Sequence, residues 1–172
     1  EHSSERAVYS IAEERQIIPN EKDYTQSVVK NKMIRYKQPF NRLLLYTMNY
    51  IPIQSILFER TLFEELGGLD KTLDTLEDWD LWVRYSTVTD FKYIEQVTSC
   101  YHTPYQRKRK QKRSSELKDY TIPLHEKFKS YHTKMSVEQV NREMQYVIRE
   151  YKDRGLLRYM RIFFRVVFLG ER

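Results

Sequence analysis

The sequence predicts an α/β fold with flanking helices and a helical C-terminal extension, and three patterns predict it. Short β-favouring segments at 7–10, 54–58 and 91–101 are separated by segments of helical period. Two of the helical segments open on a capping signal and are followed by glycine. After residue 105 only helical or strongly basic patterns follow, so two units are expected, 1–105 and 106–172.

Residues 1–6 are polar, and Ala7-Val8-Tyr9-Ser10 then reads as a short buried strand entered without preamble. That opening suits a piece cut from a longer protein. Residues 17–38 are polar with scattered aliphatics and read as loop and weak helix, closed by Pro39-Phe40. In Tyr50-Ile51-Pro52-Ile53 the proline and β-branched residues favour an extended chain, so a strand is expected over 54–58. Thr61-Leu62-Phe63-Glu64 matches a capping box, in which a hydroxyl and a carboxylate each satisfy a free backbone N–H of the first turn. Gly67-Gly68 stops that helix after Leu66. A second helix is expected from near Thr75 or Leu76 to about Ser86, with Leu76, Trp79, Trp82 and Val83 on one face.

Phe91, Tyr93, Ile94, Val97 and Thr98 mark either a strand pair or one long strand. The run 106–113, QRKRKQKR, is too basic for a core and reads as a loop or flexible linker. Ser136-Val137-Glu138-Gln139 opens a capped helix whose Val137, Val140, Met144, Val147, Ile148 and Tyr151 recur at three- and four-residue steps until Gly155. Residues 156–169 are apolar apart from Arg158, Arg161 and Arg165, which share one side of a helix. Burial against a partner fits that pattern, and so does an interfacial helix on anionic lipid.

With 172 residues, 40% of them hydrophobic, the chain can bury one modest core. A net charge of +6 and a pI near 9.3 suit nucleic acid, phosphorylated ligands or an anionic membrane surface without choosing among them. The single cysteine, Cys100, excludes an internal disulfide framework. With no secretory signal at its start, the chain reads as cytoplasmic, with the inner face of the membrane as a second location. No apolar run approaches the roughly 20 residues that a membrane-spanning helix needs.

The densest chemistry is Leu76-Glu77-Asp78-Trp79-Asp80-Leu81-Trp82-Val83-Arg84, three carboxylates and an arginine on a short helix with two tryptophans. A helix start favours ionised carboxylates, so Asp78 is expected to stay a charged base beside apolar rings. Asp80 and Arg84, four apart, are placed to pair. The alternative is a solvated acidic first turn with a surface ion pair that contributes little.

Ser55-Ile56-Leu57-Phe58, Phe63-Glu64-Glu65-Leu66-Gly67-Gly68-Leu69-Asp70 and Leu76 to Arg84, in that order and spacing, resemble the acceptor-side half of family 2 glycosyltransferases. The resemblance is close over 54–84, extends loosely over 7–103, and gives little beyond. It implies the C-terminal half of a GT-A fold, a mixed sheet with flanking helices. It also implies an inverting transfer of a hexose-type sugar from a nucleotide-diphosphate donor, a UDP-sugar first, to a glycan, lipid-linked or surface-polymer acceptor. In that family the aspartate of the Glu-Asp pair is the general base, which makes Asp78 the base and Glu77 the neighbour that orients the acceptor. A positioned carboxylate typically contributes about 10²- to 10⁴-fold. The resemblance further implies Mg²⁺ or Mn²⁺ held mostly by an Asp-x-Asp motif outside this chain, so the chain alone is expected to be inactive and to need the N-terminal half of the same protein. His102 stands near the place of a family histidine that contributes to metal or diphosphate.

Gln54, Ser55, Trp79, Asp80, Trp82 and Arg84 are candidates to border the substrate. Core packing explains the tryptophans as well, and a buried strand end explains Gln54 and Ser55. Within the basic run, Arg107 or Lys108 on a flexible lid would meet the diphosphate, against the alternative of a solvated segment. Peripheral membrane contact and a homodimer through an exposed sheet edge are further expectations. The competing function is a non-catalytic basic module that holds nucleic acid or an anionic polymer through 107–113. No nucleic-acid motif accompanies that run, so no nucleic-acid partner is expected.

Overall fold

The computed structural model describes residues 5–151. A four-stranded mixed sheet is built around β1 (Ala7–Ile18). β2 (Val28–Ile34) pairs antiparallel with the C-terminal half of β1, and β3 (Ile56–Phe58) pairs antiparallel with its first residues. β4 (Phe91–Pro104) runs parallel along the opposite edge of β1, with register shifts around Ile11. Among the described residues, no helix is long and apolar enough to cross a membrane.

Several elements differ from the sequence expectation, each for a local reason. β1 runs on well past Ser10 because Ile11, Ala12 and Ile17 are buried and Glu14, also buried, finds hydrogen-bonding partners. The stretch expected as loop and weak helix contains β2, whose residues are exposed apart from a half-buried Met33. Such a strand is held by its backbone ladder to β1 and shows no apolar alternation. The expected strand over 54–58 begins as a 3₁₀ turn, Ile53–Ser55, and is extended only from Ile56. Phe91 to Tyr101 forms one long strand, not a pair.

Among the helices, α1 (Arg42–Leu45) is a single turn capped by Asn41, whose side chain accepts from the Leu44 N–H. α2 (Arg60–Leu66) does not use the Thr61–Glu64 capping box. It starts two residues early, with Glu59 at the N-cap, which frees the Thr61 hydroxyl to donate to Glu59 and Glu64 to pair with Arg60 at 2.7 Å. Gly67 ends it at φ +81, a conformation that side chains with a Cβ rarely adopt. α3 (Glu77–Ser86) follows, and then α4 (Arg107–Phe128) occupies the run expected as a loop or linker. Lys, Arg, Gln and Glu propagate a helix well without an apolar face, and α4 is fastened at its far end by buried Leu124 and Phe128.

α5 (Val137–Tyr151) opens on a capping box that does form: Gln139 N–H donates to Ser136 Oγ at 3.1 Å, and Ser136 N–H to Gln139 Oε1 at 2.8 Å. Of the expected stripe, Val147 is buried and Val140, Met144 and Tyr151 are half-buried, whereas Val137, 78% exposed, and Ile148 face solvent, and Glu143 is buried beside the stripe. The Glu143 carboxylate accepts from the Leu43 N–H at 2.9 Å and so caps α1. The arginine stripe of 156–169 and the helix stop at Gly155 lie outside the described residues. Leu124, Phe128 and Val147 join Tyr9, Leu45, Tyr50, Trp79, Trp82, Tyr85 and Phe91 in one core, so residues 107–151 pack as part of the same body as 7–104.

Candidate functional site

An open cleft of about 730 Å³ lies where β1, β4, the Ile53–Ser55 turn, the start of α3 and one face of α4 meet. Asp78, Glu77, Gln54 and His102 line it, so four of the residues singled out from the sequence come together there. Leu76, immediately before Glu77, adopts the left-handed conformation at φ +62, uncommon for a residue with a branched side chain. This turn starts α3 abruptly and puts both carboxylates in its first turn.

Asp78 Oδ1 accepts from its neighbour Trp79's N–H at 2.7 Å and from Asn49 Nδ2 at 3.1 Å. Burial nevertheless pushes the Asp78 carboxyl above the ordinary aspartate range; Glu77's charge adds to the shift, and the hydrogen bonds from Asn49 and Trp79 oppose it. The N–H groups of the helix start favour the charged form, but burial sets the direction of the shift. A carboxylate whose pKa is raised is, when ionised, a stronger proton acceptor than an exposed aspartate.

Trp79, Asp80, Trp82, Arg84 and Ser55 do not reach the cleft. The indoles are core: Trp79 Nε1 donates to the Leu45 carbonyl at 2.6 Å and Trp82 Nε1 to the Ile51 carbonyl at 3.1 Å. Asp80 is fully buried, with Lys127 Nζ at 2.9 Å, Tyr131 Oη at 2.7 Å and Arg84 Nε at 3.0 Å. Arg84 also donates to the carbonyls of Leu66 and Gly68, both at 2.6 Å, and Lys127 pairs with Asp70 at 2.6 Å. The Gly67-Gly68-Leu69-Asp70 turn, α3 and the end of α4 are therefore locked by one ionic network, and Asp80 and Arg84 position the cleft without lining it. Ser55 is a buried turn residue whose hydroxyl donates to the Pro52 carbonyl at 2.7 Å. Arg107 is exposed at the start of α4 and outside the cleft lining.

The cleft also holds residues that the sequence reading missed. Glu14 on β1 is buried and accepts hydrogen bonds from Arg35, Thr103 at 2.8 Å, Tyr101 at 3.2 Å and Gln16 at 3.3 Å. Burial alone would raise its carboxyl, but the bonds from Arg35, Thr103 and Gln16 outweigh it and hold the pKa at about 2. No single-sequence signal marks this cluster, since it arises where Glu14 stands opposite both Met33 and Tyr101 in the sheet register. Lys110, Arg113, Ser114, Leu117, Lys118 and Thr121 of α4 form the opposite wall. Their three- and four-residue spacing was readable had 106–113 been taken as helix.

His102 Nδ1 lies 3.1 Å from the Tyr24 hydroxyl at the rim of the cleft. Among the described residues, no three His, Cys, Asp or Glu side chains gather into a group able to hold a metal ion. His102 is at most one ligand, so the described residues do not fit a complete Mg²⁺ or Mn²⁺ site and no chemical step is assigned through one. No protein-family model matches the chain, and no curated protein matches it.

Proposed function

We propose that this chain is the acceptor-side part of an inverting sugar transferase that uses a nucleotide-diphosphate sugar, with Asp78 as the general base. The observation that carries the reading is Asp78 itself: half-buried in a 730 Å³ cleft, anchored through Oδ1 by Asn49 and the Trp79 N–H, and raised in pKa by burial. The resemblance of Gly67-Gly68-Leu69-Asp70 and Glu77-Asp78-Trp79-Asp80 to family 2 glycosyltransferases supports it.

In this reading the acceptor hydroxyl lies against Asp78 and gives up its proton as its oxygen attacks the anomeric carbon. The bond to the nucleoside diphosphate breaks, and the diphosphate leaves with the electron pair from the opposite face. Glu77 and Gln54, in the same cleft, hold the acceptor's other hydroxyls. Asn49 keeps the Asp78 carboxylate from rotating out of line.

The test is release of nucleoside diphosphate from a UDP-sugar with a glycan acceptor, for the chain alone and for the chain joined to its preceding residues. Asp78→Asn is expected to lower the rate by about 10²- to 10⁴-fold with an unchanged circular dichroism spectrum. Full activity in that variant removes the base assignment.

A further inference from the structure

The six basic residues of α4 between Arg107 and Arg113 are not equivalent. Arg109 pairs with Glu21 at 3.2 Å and Lys112 with Glu116 at 3.8 Å, both away from the cleft. Lys110, Arg113 and Lys118 face the cleft and make no ion pair among the described residues. Of the carboxylates in the same cleft, Glu14 is already taken by Arg35, which leaves two, Glu77 and Asp78, against three cations that make no ion pair with them. At 1.5 Å rise per residue the three are strung over about 12 Å of helix. The wall keeps its place because α4 is anchored beyond it by Leu124 and Phe128.

We propose that this face binds an acceptor glycan that itself carries repeated anionic groups, phosphodiesters or carboxylates, along its chain. The inference rests on the transferase reading for the word acceptor, and on the charge arrangement alone for the anionic chain. A neutral glycan entering the cleft would strip water from Lys110, Arg113 and Lys118 and return no charge. An anionic chain lying across from Asp78 compensates each cation in turn. A lone diphosphate meets one or two adjacent cations and leaves the rest of a 12 Å row, at about 1.5 Å per residue, without a partner. The distribution of charge therefore fits an extended polyanion better than a compact one.

The experiment is fluorescence anisotropy on the 172-residue chain with four labelled probes of matched length: poly(glycerol phosphate), polygalacturonate, neutral dextran and oligo-dT. Binding of either anionic non-nucleic probe is expected, with the better of the two identifying phosphate or carboxylate as the group recognised, and dextran is expected not to bind. With three contacts at a log–log salt slope of roughly −0.7 each, affinity falls about tenfold between roughly 50 and 150 mM salt. Lys110→Ala/Arg113→Ala/Lys118→Ala is expected to abolish most of that salt dependence and to weaken binding about tenfold. Arg107→Ala/Lys108→Ala/Lys112→Ala, which removes the same charge from outside the cleft, is expected to change it less than about twofold.

Equal losses in the two triple variants, or oligo-dT binding as tightly as the anionic glycans, overturn the proposal, because net charge or nucleic acid would then explain it. Dextran competing equally overturns it too. The outcome separates from that of the transferase reading. Binding that depends on Lys110, Arg113 and Lys118, with no sugar transfer even by the chain joined to its N-terminal half, sinks the enzyme and leaves this surface, whereas Asp78-dependent transfer to a neutral acceptor sinks this surface and leaves the enzyme.

Discussion

Two carboxylates in one cleft, Asp78 and Glu14, are pushed in opposite directions by their surroundings. Asp78 is raised because burial outweighs two neutral donors; Glu14 is lowered to about 2 because an arginine and several polar groups outweigh its burial. A group held that low is a poor proton acceptor near neutral pH and a good structural tie between β1, β2 and β4. The sign of its effect follows. Glu14 falls from an ordinary 4.5 to about 2 on folding, so its stabilisation is fully present above about pH 4.5 and is lost as pH falls toward about 2. Glu14→Gln is therefore expected to be less stable than the parent near pH 7, with the gap closing as pH drops through that window. Urea midpoints at about pH 7, 4 and 3 check it, and a gap that stays constant would mean that the carboxylate charge is not what matters. The Asp78 candidate was legible because a short motif carries it. Glu14 was not, since its partners Arg35, Tyr101 and Thr103 are distant in sequence and meet only through strand register.

Local signals succeeded wherever the chain settles its own ends. Gly67 stops α2, and the Ser136–Gln139 box opens α5. They failed where a competing partner was at hand: Thr61 and Glu64 had the letters of a capping box, but Glu59 and Arg60 satisfied them differently. β2 was illegible because an exposed strand has no buried face to impose alternation, and α4 because its first half has no apolar stripe. The Asp80–Arg84 pairing was readable from its spacing, but not that it faces inward, where Lys127 and Tyr131 complete it. The turn that this network grips leaves little room for a small change. Gly67 at φ +81 and ψ 167 lies in a region that costs other residues of the order of 1–3 kcal/mol. Gly67→Ala is expected to lose about that much stability by chemical denaturation, since the added Cβ itself meets only Arg84, at 3.6 Å. An unchanged midpoint would show that the turn relaxes freely and that Arg84 does not hold it.

The sheet and the helices after it share one core, and this decides how the cleft is walled. Phe128 packs edge-on to the Trp79 ring at 5.3 Å and Leu124 joins the same core, while the other half of α4 reaches along the cleft as an exposed cationic face. The helix is buried at that end and tied near its start by the exposed Arg109–Glu21 pair, so its hold on the cleft depends mainly on the buried end. Burying a phenylalanine of this kind is worth about 3–5 kcal/mol on truncation to alanine. Phe128→Ala is expected to cost that much only if the whole body unfolds together. Should α4 detach first, the global loss is smaller, and amide exchange over 107–121 accelerates while β1 and β4 stay protected. Because Lys127 next to Phe128 also ties Asp80 and Asp70, the cooperative outcome is the expected one: exchange rises in α3 and α4 together. Acceleration confined to α4 would show that the wall of the cleft opens independently of the core beneath Asp78.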